Sequence, residues 1–148
     1  MKVSELMHRD LTSLDPSDTI RTLVETLESS ETSSVPVTDV ENRLLGIVSE
    51  RDVLSAAVPR YMELLHSATF MPNLNQLAIG LNRIADEPVH LHMSRKVISV
   101  PIDGEDLQAA DLMLRHKLRL LPVVDDKGGL VGIVRRIDLF KHVLLGVR

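Results

Sequence analysis

GIVSERD, residues 46–52, returns 86 positions later as GIVRRID, residues 132–138. Set around it, PVTDVENRLLGIVSERD (36–52) and PVVDDKGGLVGIVRRID (122–138) agree at eight of seventeen positions without a gap. Chance alone gives about one agreement. The same offset pairs Val3 with Val89, Met7 with Met93, Arg9 with Arg95 and Ser13 with Ser99. The chain therefore reads as two copies of one unit of about sixty residues, 1–58 and 88–148, separated by a stretch, 59–87, that has no counterpart.

Each copy reads as strand, helix, strand, strand, helix. In copy one, LTSL (11–14) is a short extended piece broken by Asp15-Pro16. Ser17 or Asp18 then caps a helix whose apolar positions are Ile20, Leu23, Val24 and Leu27. SVPV (34–37) and LLGIV (44–48) are branched, apolar runs with a turn at Glu41-Asn42-Arg43, and a helix follows Ser49. In copy two, VISV (97–100) is the first strand and Asp103 or Gly104 opens a helix with Leu107, Ala110, Leu114 and Leu118 inside. LLPVV and LVGIV form the strand pair about the turn Asp126-Lys127-Gly128-Gly129, and a last helix runs from about Arg136 to Leu145.

The intervening stretch lacks the Ser/Gly richness of a flexible linker. Leu74, Leu77, Ala78, Leu81, Ile84 and Ala85 make one helical face after a cap at Asn73, and a shorter helix over 60–67 carries Tyr61, Leu64 and Leu65. It is expected to pack on the body or on a second subunit. A unit of about sixty residues is marginal alone. Pairing the copies about a pseudo-twofold axis is the simplest way to cover both small sheets.

Composition narrows the function. The chain has 148 residues, 44% hydrophobic, with Tyr61, Phe70 and Phe140 as its only aromatics, so the core is aliphatic. No cysteine is present. That excludes disulfides, thiolate metal sites and cysteine nucleophiles, and fits a reducing, cytoplasmic location. No leader and no run of about 20 apolar residues is found, so no membrane span is expected. The net charge of −4 argues against a broad nucleic-acid surface. There is no Walker loop and no GxGxxG. His90 and His92 lack a third ligand for a metal clip. Met7 and Met93 read as packing between repeats.

The duplicated pattern, an apolar strand ending in Pro-Val, an Asp two residues on, then Gly-Ile-Val-x-x-x-Asp opening a helix, resembles a tandem pair of CBS domains. SELMHRDLTSLDPSDTI is similar to the start of such a domain. The resemblance covers nearly all of the chain except 59–87. It implies an α/β (α+β) fold, each copy β-α-β-β-α, with clefts between the copies. It implies a regulatory, non-catalytic role needing no cofactor: binding of AMP, ADP or ATP, or of S-adenosylmethionine, in energy sensing. The change of shape is then passed to an effector protein, and such pairs often form homodimers. A ligand-free scaffold that only dimerises is the competing reading.

The site follows from the motif. Gly46 lets a backbone or a ligand approach closely. Ser49 can cap the helix, and Asp52, in its first turn, offers two carboxylate oxygens to a vicinal diol. In the family these places contact ribose. Ser-x-x-Asp is equally close to a capping box, and on sequence both readings stand. The resemblance puts Thr12, Ser13, Val35 and Pro36 beside adenine in copy one, with Arg119 reaching across to the phosphates held near Asp52. Lys117, Arg51 and Arg136 read as surface charges. Ile98, Ser99, Leu121 and Pro122 are the counterparts in copy two. There Arg135 replaces the expected hydroxyl while Asp138 persists. Arg135 either closes the second cleft by pairing with Asp138 or lends charge to phosphates next door. One good site, on copy one, is expected.

Overall fold

The structure is a computed structural model that describes residues 1–9, 12–58 and 75–146. The proposed helix over 60–67, the cap at Asn73, and Leu74 lie outside these residues. In chain order the elements are α1 (Val3–Leu6), α2 (Ile20–Ser30), β1 (Ser34–Thr38), β2 (Leu44–Ser49), α3 (Glu50–Ala57) and α4 (Gln76–Ile84). A 3-10 turn over Val89–Leu91 leads into β3 (Val100–Pro101), α5 (Asp106–Arg115), β4 (Leu120–Val124) and β5 (Leu130–Arg135). A 3-10 turn, Arg136–Leu139, and α6 (Lys141–Leu145) end the described chain.

The repeat is exact at the level of backbone pairing. β1 and β2 pair antiparallel from Ser34↔Ser49 to Thr38↔Leu44, with an irregularity after Val37. β4 and β5 pair from Leu120↔Arg135 to Val124↔Leu130, with the irregularity after Val123. Each of these positions is the other's plus 86. The first strands are shorter than their sequence suggests. In copy one the extended piece shrinks to a bridge between Leu14 and Val37, and in copy two only Val100–Pro101 pairs, parallel to β4.

Three expectations about helices need correction. The cap of α2 is Thr19, whose hydroxyl accepts from the Thr22 N–H at 3.2 Å. Asp18 and Ser17 are held by the preceding turn: Asp18 accepts the Asp15 N–H and Asp15 accepts from Ser17. The N-cap of α5 is Glu105, not Asp103 or Gly104, because the Gly104 carbonyl is taken by the Val3 N–H at 2.8 Å. The last helix is not continuous but breaks at Phe140 into a 3-10 turn and a five-residue α-helix.

The apolar stripe of α5 also faces the other way. Ala109 and Met113 point into the core, while Leu107 is 77% exposed and Leu114 81% exposed. Copy one contrasts with this: Ile20, Leu23 and Leu27 are buried, and among the expected positions only Val24 is exposed. α4 keeps part of its expected face. Ile84 is in the core of copy one, while Leu77 is exposed. The helix lies directly on α3, since a Cβ at Gly80 would stand 1.9 Å from the Ala57 carbonyl oxygen.

The copies interlock by exchanging their lead-ins. Residues 3–8 pack on copy two and residues 89–94 on copy one, so Val3 belongs to the core of Val100, Leu121 and Val134. Val89 belongs to the core of Leu23, Val37 and Val48. The joints come in pairs related by 86. His8 and Ile133 exchange backbone hydrogen bonds at 2.8 and 3.0 Å, as do Ser94 and Ile47 at 2.8 and 3.0 Å. The Leu44 N–H donates to Gly128 O at 3.0 Å and the Leu130 N–H to Asn42 O at 2.9 Å. This is the pseudo-twofold pairing anticipated from burial.

The repeated glycine now has its reason: a backbone, not a ligand, comes close. A Cβ on Gly46 would lie 2.8 Å from Ser94 O and 2.7 Å from the Met93 sulfur, and one on Gly132 would lie 2.7 Å from His8 O and from the Met7 sulfur. Met7 and Met93 are packing residues between the copies. Gly46→Ala and Gly132→Ala should each lower unfolding stability by about 1–3 kcal/mol, the usual cost of overpacking, in urea titrations. Unchanged midpoints for both would contradict the tight lead-in contact.

Candidate functional site

At the end of β2 the chain turns into α3 through Ser49, whose extended backbone makes it the N-cap. Its hydroxyl accepts the Asp52 N–H at 3.3 Å, and Asp52 Oδ2 accepts the Ser49 N–H at 2.8 Å and the Ser49 hydroxyl at 3.0 Å. The capping box is therefore formed. It uses a single carboxylate oxygen: among the described residues Oδ1 takes no hydrogen bond. Capping does not take Asp52 out of reach of a ligand, because this half-buried residue borders a cleft of about 680 Å³.

That cleft is built from both copies. Ser49 and Asp52 form one wall; Ile98 and Arg119, with Lys117, come from copy two. Arg51 and Lys96 complete a set of four cations, against the acids Glu50 and Asp52. Arg119 thus does stand across from Asp52. Lys117 and Arg51, read from sequence as surface charges, share the wall. Lys96 was not singled out from sequence.

The remaining sequence candidates are distributed differently from their grouping by copy. Thr12, Val35 and Pro36 line a second, smaller cavity of about 240 Å³ whose other wall carries His8, Leu120 and Arg135. The adenine-side residues of copy one therefore face the carboxylate-side residues of copy two, and Ile98 faces Asp52. This crossing is the direct result of the lead-in exchange. Ser13 is engaged with Thr38, whose hydroxyl donates to it at 3.2 Å. Ser99 is half-buried and lines neither cavity. Leu121 and Pro122 are buried, Leu121 wholly within the core of copy two.

The second carboxylate is closed. Asp138 is fully buried. Its Oδ2 accepts the Arg135 backbone N–H at 2.8 Å, matching Ser49 and Asp52, and the Arg135 Nε–H at 3.2 Å. Oδ1 accepts from Arg135 Nη2 at 3.1 Å and lies 2.9 Å from Lys141 Nζ and 2.9 Å from His8 Nε2. His8 Nε2 also contacts the Arg135 guanidinium. Of the two outcomes open for Arg135, this is the first: it occupies the place beside Asp138. Its helpers were missed in the sequence, although the 86-residue offset shows them. Where copy two has His8, Arg135 and Lys141, copy one has Ser94, Ser49 and Ser55. One carboxylate is bonded to a hydroxyl residue, Ser49, the other to Arg135 and Lys141 with His8 beside them.

Burial alone would push the Asp138 carboxyl up, but hydrogen bonds from the Arg135 side chain and backbone, then Lys141 and His8, outweigh it and hold the group at about 2, below its usual 3.8. A depressed folded-state pKa contributes stability that is complete above the unfolded value and is lost as pH falls through the folded one. Among the described residues, no set of three His, Asp or Glu side chains is placed to hold a metal, and His92 pairs instead with Glu87 at 3.0 Å. No described helix is long and apolar enough to cross a membrane.

The CBS domain family model matches residues 3–59 and 87–145. The chain is a member of the CBS domain family. It carries the domain as a tandem pair, and such pairs are regulatory modules. A 17.7 kDa protein of Acidianus ambivalens, described as uncharacterized, is 30% identical over 97% of this chain and 73% of its own. The CBS-pair protein CBSX2 from Arabidopsis thaliana has the same fold, with a TM-score of 0.78 and 27% identity over 97% of this chain and 94% of that one. CBSX2 in complex with AMP gives a TM-score of 0.75 and 26% identity over 99% and 98% of the two chains.

Stability measured against pH should fall by about 2 kcal/mol between about pH 4 and pH 2 on account of Asp138. Asp138→Asn should remove that step from the difference curve. A step of the same size in the variant would contradict the clamp.

Proposed function

We propose that this CBS pair is a sensor of adenosine nucleotides, AMP, ADP or ATP, bound in the Asp52 cleft and reported to an effector protein. The carrying observation is the contrast between the clefts. The same backbone framework presents, beside Asp52, an opening of nucleotide size lined by four cations. Beside Asp138 it presents a carboxylate already saturated by the chain's own Arg135, Lys141 and His8.

In this reading Ser49 and the open oxygen of Asp52 take the ribose diol. Ile98 and the strand backbone beside it receive adenine. Arg119, with Lys117 and Lys96, faces the phosphates. The complex of CBSX2 with AMP supports the ligand class. The four cations disfavour S-adenosylmethionine, which brings a sulfonium and no phosphate. Thr12, Val35 and Pro36 belong to the second cavity and are spectators to this site. The chain works as a homodimer, supported by the apolar surface that α5 leaves bare.

A ligand that binds only the folded state stabilises it by RT ln(1 + [L]/Kd), about 2.7 kcal/mol at a hundredfold excess over Kd. Millimolar AMP or ATP should therefore raise the melting temperature, S-adenosylmethionine should not, and Asp52→Ala should abolish most of the rise. Arg119→Ala should weaken AMP and ATP more than adenosine. A melting curve that no member of the series moves would overturn the sensor reading; an equal loss for all three in Arg119→Ala would remove only its phosphate role.

A further inference from the structure

The cleft beside Asp52 does not end at Arg119. Ser33, Glu50, Arg119 and Leu120 line it and also line an adjoining cavity of about 670 Å³. The two spaces therefore meet at these residues, with Arg119 at the junction. Their charges differ. On the Asp52 side Arg51, Lys96 and Lys117 join Arg119. On the far side the wall carries Glu28, Glu31 and Glu50. All three acids come from copy one; the 86-residue offset puts Arg136 where copy one has Glu50, and Lys117 where it has Glu31.

Pairing decides which of these charges a ligand meets. Among the described residues no hydrogen bond or ion pair engages the side chains of Glu28, Glu31, Glu50 or Arg119. The other cations of the far wall are Arg135 and Arg136. Arg135 is bound to Asp138 through Nε and Nη2. Arg136 donates its Nε–H to the Leu118 carbonyl at 2.9 Å and keeps its charge. The three acids thus outnumber the cations that no carboxylate engages, Arg119 and Arg136.

We propose that the Asp52 cleft selects a nucleoside monophosphate, and that Glu28, Glu31 and Glu50 discriminate against longer phosphate chains. A single phosphate at Arg119 has a free guanidinium beside it. The further phosphates of a di- or triphosphate pass the junction and meet the carboxylates, where like charge opposes them. The preference is a difference of affinities, set by what the far wall repels as well as by what Arg119 attracts. The proposal rests on the sensor reading above and adds which nucleotide the cleft prefers.

The test is isothermal titration of the full chain with adenosine, AMP, ADP and ATP, in chelator to keep the phosphates free of divalent ions. Ionic strength is held low, because salt screens exposed charges. AMP should bind more tightly than adenosine, and ATP more weakly than AMP by roughly tenfold. Glu50→Gln, and separately Glu28→Gln with Glu31→Gln, should each narrow the gap between AMP and ATP by about threefold. Glu25→Gln removes an exposed acid of the same helix that lines neither cavity, and should leave the gap as it is. Melting curves matching the parent chain establish that each variant is folded. ATP bound as tightly as AMP, a gap that neither cavity variant narrows, or one that Glu25→Gln narrows equally would overturn the selectivity and leave the sensor reading standing. If no member of the series binds, the sensor reading falls and this proposal with it.

Discussion

Two short antiparallel contacts, His8 with Ile133 and Ser94 with Ile47, join each lead-in to the sheet of the opposite copy, and the architecture depends on them. A unit of about sixty residues buries too little surface to be secure alone. By crossing over, Val3 and Val89 enter each other's neighbouring cores, and the two cores become one folding problem. Such closeness requires a residue without a side chain on the receiving strand, which is why both copies keep a glycine there. The same crossing decides where clefts can form. Each one must lie between copies, with a carboxylate from one and its facing wall from the other.

Within that frame the function is a matter of which side chains the two copies stopped sharing. Ser49 caps one oxygen of Asp52, and among the described residues the other takes no hydrogen bond. Arg135 and Lys141, with His8, surround Asp138 instead, and their hydrogen bonds hold its carboxyl below the usual range. The pair then has one carboxylate bordering a cleft and one closed by the chain's own side chains. The closed one ties the lead-in at His8 to the C-terminal helix at Lys141 and to β5 at Arg135. The same divergence between copies reaches the outer face, where acids in one copy stand opposite bases in the other.

Much of this was legible in the chain. The offset of 86 gave the strand pairs, their turns and the pseudo-twofold, because identical local sequences make identical backbone pairings. Ser49 and Asp52 could be named from GIVSERD alone, and Arg135 as the disruptive difference. Three things escaped, each for a physical reason. His8, a partner of Asp138, comes from a distant segment brought in by the crossing, while Lys141 lies three residues on and shows only when the copies are compared position by position. The assignment of Thr12, Val35 and Pro36 to the Asp52 cleft failed for the same reason: which wall faces which carboxylate depends on topology. Of the stripe Leu107, Ala110, Leu114 and Leu118, Leu118 packs on the core while Leu107 and Leu114 are exposed, because periodicity reports an apolar face without saying what covers it. Ala109 and Met113 fill the core instead, being of the size the sheet beneath accommodates.

Binding stoichiometry tests the asymmetry between the clefts most directly. Isothermal titration of the purified chain with AMP is predicted to give one nucleotide per chain. Replacing Arg135 by Ser should not diminish that first binding event. Two equivalent nucleotides per chain in the unaltered protein, or a single one that is lost with Arg135→Ser and kept in Asp52→Ala, would contradict the account.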